Sequence, residues 1–203
     1  MARHSWTVAR SSNSAGSRRL SRRFFDRPTV TVARDLLGAI LRNGPRAVRI
    51  VETEAYVTND PASHTFRGPT RRNRSMFGEP GTLYVYRIHQ VVCANLVTRR
   101  GEAVLLRAGE PLTPGLPSPS GPGRLCRALG ISLADDGVRT PTDPRIRVDS
   151  RQDGRRSIAV GPRVGIRRAA RRPLRFALKG NRWVSRPAVV GNRRRSPRGP
   201  NRA

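Results

Sequence analysis

Lysine is almost missing from this sequence: Lys179 is the only one among 41 basic residues, so nearly all the positive charge is arginine. Acidic residues are scarce too, 13 against those 41, which leaves a formal net charge of +28. Cysteine occurs twice (Cys93, Cys126), each time among apolar neighbours, and histidine three times (His4, His64, His89). No C-x-x-C or H-x-x-x-H pair is present, so neither a disulfide framework nor a structural zinc is indicated, and free buried thiols in a reducing cytoplasm are expected. No apolar run approaches the length of a membrane span, and the N-terminus lacks the apolar core of a secretory signal. A soluble intracellular protein is therefore expected. At 203 residues the chain is long enough for one domain with a real core. GC-rich coding accounts for part of an arginine excess. Its size here points to a nucleic-acid backbone as partner, because each neutralised phosphate releases condensed counterion.

The most strand-like stretch is Arg49-Ile-Val-Glu-Thr-Glu-Ala-Tyr56, and it carries two carboxylates. In an extended chain alternate side chains share a face. Val48, Ile50, Glu52, Glu54 and Tyr56 would then point one way, and Val51, Thr53 and Ala55 the other. Such a face passes from a core into a polar cleft. Taken alone, paired acids on a strand are more often structural, and Glu52 reads that way, paired with an arginine.

Residues 1–20 are rich in Ser and Arg without periodicity and read as a flexible basic arm; 188–203 read as a basic disordered tail. Between them, 21–187 form the folded domain. Val32, Ala33, Leu36, Leu37, Ile40 and Leu41 recur at helical steps, which predicts a helix over 31–42 with Thr31 as N-cap and Asn43-Gly44 as stop. The polar stretch 57–81 is a long loop carrying Arg67, Arg71, Arg72 and Arg74, with Met76 and Phe77 as apolar anchors. Strands follow over 82–88, 91–98 and 103–107, the last two joined through Arg99-Arg100-Gly101. Residues 113–123 are a Pro/Gly/Ser connection, and Leu125, Ala128 and Leu129 predict a short helix closed by Gly130. Charges and breakers prevail from 134 to 156; 160–166 and 174–178 read as strands, with Gly180-Asn181 as a turn. Strands mostly follow strands, so the class is α+β: a single domain with a curved antiparallel or mixed sheet and a few flanking helices.

Three blocks together resemble the alkyladenine (3-methyladenine) DNA glycosylase family, the mammalian-type methylpurine glycosylases. They are Arg49 to Tyr56 with His64 downstream; Asn73-Arg-Ser-Met-Phe77 leading to Gly81-Thr-Leu-Tyr-Val-Tyr86; and Cys93-Ala-Asn95 followed by Val104-Leu-Leu-Arg-Ala108. Weaker matches extend the resemblance over roughly residues 20–187. It implies hydrolysis of the N-glycosidic bond of damaged purines turned out of duplex DNA, by a monomer needing no metal or cofactor, soluble in the cytoplasm and working at the nucleoid. Glu54 takes the place of the catalytic acid that activates water, and Arg107 that of the arginine beside it. Tyr56 on one side, with His64 and Tyr86 on the other, match the aromatic residues that sandwich the extruded base. Asn95 matches a residue held to discriminate against the exocyclic amine of guanine. Arg67, Arg71, Arg72 and Arg74 are expected on the DNA backbone. Without the resemblance, His64 and Asn95 read as ordinary hydrogen bonders, and Tyr84 is placed in the core either way.

Two departures stand out. The family's wedge, usually a tyrosine, falls at or near His89, in a segment about one residue shorter than usual, and histidine offers less stacking area. The 113–123 connection is also short. Strand cleavage by such enzymes normally uses an amine; with Lys179 as the sole lysine, a monofunctional enzyme leaving an abasic site is expected. Two other classes compete. One is a non-catalytic DNA- or RNA-binding protein. The other is a metal-dependent nuclease built on Glu52, Glu54, Asp60 and His64.

Overall fold

One strand, β2 (Arg46–Tyr56), runs through the middle of the fold, and the rest of the sheet is hung on its two edges. The computed structural model describes residues 18–151, 154 and 156–185. Along one edge β2 pairs with β5 (Ala103–Pro111), which continues through β4 (Val91–Val97) to β3 (Leu83–Ile88). The other edge is shared. β1 (Ile40–Asn43) takes Arg46 to Arg49 and carries β6 (Ile146–Asp149) outside it; β8 (Arg175–Leu178) takes Glu52 to Glu54 and carries β7 (Ile158–Gly161). All these pairings are antiparallel, and the sheet curls into a half-barrel. The helices α1 (Arg22–Phe25), α2 (Thr29–Asp35) and α3 (Pro122–Leu129) flank it, so the α+β class read from the sequence is the one found.

The main core joins Phe25, Val32, Leu36 and Leu37 to Ile50, Leu83, Val104, Leu106, Leu125, Leu129 and Phe176. Each large apolar side chain buried there is worth about 1.5–3 kcal/mol. α3 starts on Pro122, with its fixed φ, and ends at Gly130 in the left-handed conformation (φ 68°), the stop expected for that short helix.

The predicted helix over 31–42 is shorter and earlier. It spans Thr29–Asp35, Pro28 precedes it in place of a Thr31 cap, and the chain turns at Gly38 (φ +87°). Ile40 and Leu41 satisfy a helical period by coincidence, because four residues cannot distinguish the two patterns. Asn43-Gly44 is not a helix stop: Asn43 ends β1, paired with Arg46, and Gly44 opens the two-residue Gly44-Pro45 turn of the β1–β2 hairpin. β6 lies within the charged stretch that showed no strand: Ile146 and Val148 enter the core, while Asp149 is held by Arg42 (2.8 Å) and Arg147 (3.2 Å). Residues 18–20, assigned to the arm, run beside it, with Leu20 N–H donating to Val148 O at 2.8 Å. Residues 1–17 of that arm and the 188–203 tail lie outside the described residues.

The expected common face from Val48 to Tyr56 is broken. In the β2–β5 ladder Ile50 faces Gly109, Glu52 faces Ala108 and Thr53 faces Leu106, so Val51 and Arg107 are each left without a ladder partner. An extra residue in a ladder shifts the alternation by one. Val48 and Ile50 join the core before the shift, and Ala55 after it, with Thr53 Oγ1 donating to Ala33 O in α2 (2.8 Å). Glu52, Glu54 and Tyr56 are thereby turned to the opposite side, as is the bulged Arg107.

Candidate active site

The bulge aims Arg107 between the two carboxylates of β2. Its Nε donates to Glu52 Oε1 (3.1 Å), Nη1 lies 3.3 Å from Glu54 Oε1, and Nη2 donates to Ser185 Oγ (3.3 Å). Glu52 is fully buried and also accepts from Arg175 Nε (2.5 Å) and Ser185 N–H (2.6 Å). With both oxygens held by fixed donors, Glu52 is the structural member of the pair.

Glu54 is fully buried as well but less fully engaged. Val164 N–H donates to Oε1 (2.8 Å) and the Tyr56 hydroxyl to Oε2 (3.0 Å). A carboxylate has about four acceptor sites, so capacity for a water remains. Burial pushes the Glu54 pKa above the usual carboxylate range; Arg107, the Val164 amide and the Tyr56 hydroxyl oppose that rise, and Glu52 adds to it. The result is a carboxyl whose donors offset only part of what burial does to its pKa.

Tyr56, Arg107 and Val164, the three groups holding Glu54, all line a cavity of about 540 Å³. Its walls also include His64, Tyr84, Tyr86, Cys93 and Asn95. His64 and Tyr86 meet edge to face, ring centroids 4.4 Å apart, and Tyr84 and Tyr86 stack at 5.4 Å. Tyr84 was expected in the core. It is buried, yet it also forms part of the wall, and its hydroxyl bonds to His64 Nδ1 at 2.9 Å. Asn95 Nδ2 donates to Tyr84 O (3.1 Å); a carbonyl only accepts, so this bond fixes which way the amide faces. The cavity size suits a flat ligand of drug or nucleobase dimensions.

His89 lines the mouth from the β3–β4 turn. Ile88 pairs with Val91, so His89 and Gln90 form a two-residue turn, with φ of 44° and 66°. This is the geometry that asparagine-glycine normally fills, and it accounts for the short segment noted above. Ile88, His89, Gln90 and Val91 are all exposed. Arg67, Arg71, Arg72 and Arg74 are exposed on the 57–81 loop and its 3-10 turn (Arg74–Phe77), and none of them lines the cavity.

Sequence reasoning missed several groups that converge here. Arg167 and Arg168 line the cavity from the loop after β7. Asp60 and Arg163 form a buried ion pair beside Tyr56, and Val164 reaches Glu54 through its main chain. A backbone donor leaves no residue-type signal, and the arginine excess hid Arg163 and Arg175 among many others. The nuclease quartet is not gathered as a ligand set: Asp60 faces Arg163 and Glu52 faces two arginines.

A family model described as methylpurine-DNA glycosylase matches residues 23–182. Curated relatives agree over most of the chain. A Rhizobium etli protein is 44% identical over 180 residues, covering 82% of this chain and 88% of its own. A Methanoculleus marisnigri protein is 45% identical over 191 residues (80% and 96%), and one from Anaeromyxobacter sp. (strain Fw109-5) is 47% identical over 193 (87% and 100%). Each of the three carries the name "Putative 3-methyladenine DNA glycosylase".

Proposed function

The chain belongs to the methylpurine-DNA glycosylase family, a family of DNA-repair glycosylases, and from that premise we propose that it excises alkylated and deaminated purines from duplex DNA by a water that Glu54 activates. The substrates are 3-methyladenine, 7-methylguanine, hypoxanthine and ethenoadenine. The observation that carries the reading is Glu54 buried directly behind the wall of an aromatic cavity, held by Arg107, Tyr56 and the Val164 amide, each of which lines that cavity.

The extruded purine stacks between Tyr56 and the His64–Tyr86 pair, with Asn95 reading its edge. Electron-rich rings favour a cationic alkylated base over a neutral one. As the base departs, the sugar acquires oxocarbenium character, and the Glu54 carboxylate stabilises that charge while taking a proton from the attacking water. Arg107 keeps Glu54 ionised by Coulombic attraction. His89, exposed at the tip of the turn on the cavity's mouth, fills the gap the base leaves, and Arg67, Arg71, Arg72 and Arg74 hold the backbone. The only lysine, Lys179, is exposed past the end of β8 and lines no part of the cavity, which supports base release without strand cleavage. The enzyme acts as a monomer, soluble in the cytoplasm; among the described residues no helix is long and apolar enough to cross a membrane.

The test is a duplex panel, each member carrying one of these lesions, incubated with enzyme in the presence of a chelator. Free purine should appear, and the strand should break only after alkali. Binding to the duplex with no purine released would favour the non-catalytic binding protein instead. Cleavage abolished by the chelator would favour the nuclease.

A further inference from the structure

Asp60 and Arg163 take no part in the chemistry above, yet both side chains are wholly buried beside it. Arg163 grips Asp60 with two nitrogens, Nη1 on Oδ2 and Nη2 on Oδ1 (3.0 Å), and Nη1 also donates to Ala55 O (3.1 Å). Its guanidinium lies over the Tyr56 ring, 4.5 Å from the centroid. Arg163 does not line the cavity and Tyr56 does, so the guanidinium covers the ring away from the base. The next residue, Val164, donates its N–H to Glu54. Asp60 in turn accepts from Ala62 N–H (3.1 Å), at the start of the loop that carries His64.

We propose that the Arg163–Asp60 pair is a positioning clamp: it sets the plane of Tyr56 against the extruded base, and it holds the Val164 amide on Glu54. The proposal rests on the glycosylase reading for its consequence in catalysis, but the clamp itself is independent of activity. A buried ion pair is poor evidence for stability, since a packed apolar pair does as well. What singles this one out is where its contacts go: the end of β2, the loop before His64 and the loop bearing Val164. Only arginine can stack on a ring and fork onto a carboxylate at once. Asp60 also cancels the guanidinium charge, so the outward face of Tyr56 stays electron-rich for a cationic purine.

The test uses the full chain in three forms: Asp60→Leu/Arg163→Met, which removes both charges at similar volume; Arg163→Lys, which keeps the charge without the fork; and Asp60→Asn, which leaves the guanidinium uncompensated. The double variant should melt near the wild-type temperature and bind undamaged duplex equally well. Its single-turnover excision should fall on the order of 10- to 100-fold through misplacement of reacting groups. Hydrogen exchange at the Val164 amide should accelerate in the double variant and in Arg163→Lys. Glu54 faces Glu52 and Tyr56 on its own strand, Arg107 on β5, Cys93 on β4, the Val164 amide, and Arg175 across the β8 register. Of these, the clamp positions the Val164 amide and the Tyr56 hydroxyl, both of which hold the Glu54 pKa down, so the acid limb of the pH–rate profile should move upward. Asp60→Asn should lose more rate on 7-methylguanine than on hypoxanthine. Wild-type exchange at Val164 together with wild-type excision in the double variant and in Arg163→Lys would overturn the clamp. If the wild type releases no purine, the glycosylase reading fails, and the exchange result alone decides the clamp.

Discussion

Glu54 stands in a conflict between stability and chemistry. Its folded pKa is raised by burial. An acid with a raised folded pKa favours the folded state fully below its unfolded pKa, and that advantage is lost as pH rises through the folded value. At neutral pH this buried acid is therefore a cost to the fold. Glu54→Gln should remove it. The amide oxygen can still accept from Val164, and the amide nitrogen can donate to the Tyr56 oxygen, whose own proton then turns into the cavity that Tyr56 lines. A thermal melt at pH 7 should show a higher Tm, about 2–4 °C for each kcal/mol recovered in a chain of this size. An unchanged or lower Tm would mean the donors already compensate fully. The same shift sets the activity profile: the rate should fall as acid is added at a pH above that of an ordinary glutamate, and an acid limb in the usual carboxylate range would contradict the burial seen here.

At the scale of elements, the two compensating irregularities in the β2–β5 ladder build the site. Without them Glu52, Glu54 and Tyr56 would share the core-facing side of Val48 and Ile50. The bulges have no residue signature, so alternation along 48–56 predicts the wrong common face. Other elements were open to reading. β2 to β5 and α3 declare themselves through β-branched residues, turn signals and the Pro122/Gly130 ends. β1 and β6 do not, being four residues each, one helical by period and the other masked by charge. The neighbours of Glu54 fall between these cases: Arg107 came with the family blocks, whereas Arg163 lies 103 residues from its partner Asp60. The His89-Gln90 turn is a strained element, with two non-glycine residues at positive φ. Left-handed backbone costs about 1–2 kcal/mol per such residue. Gln90→Gly should stabilise the protein by up to about 1 kcal/mol in a denaturant melt, after allowing for glycine's greater unfolded-state entropy. A destabilised variant would show that the Gln90 side chain holds the turn.

Across the whole molecule the charge is divided. The chain carries +28, but the buried site sets three acids (Glu52, Glu54, Asp60) against three arginines (Arg107, Arg163, Arg175). A neutral interior beneath a basic exterior lets the surface gather DNA without repelling a cationic base from the cavity. Binding to undamaged duplex should therefore weaken steeply with salt. Replacing Arg67, Arg71, Arg72 or Arg74 by glutamine should lower the log–log salt slope by about 1 for each phosphate no longer neutralised. A slope untouched by all four changes would move the DNA surface elsewhere, with the exposed Arg167 and Arg168 the next to test.

The most direct measurement is single-turnover release of hypoxanthine from a duplex by the wild type and by Glu54→Gln under identical salt and pH. Release by the wild type, with a loss of at least about a hundredfold in the variant and equal affinity for the duplex, is the expected result. Equal rates from the two proteins would contradict it, and with it the place of Glu54 at the centre of the reaction.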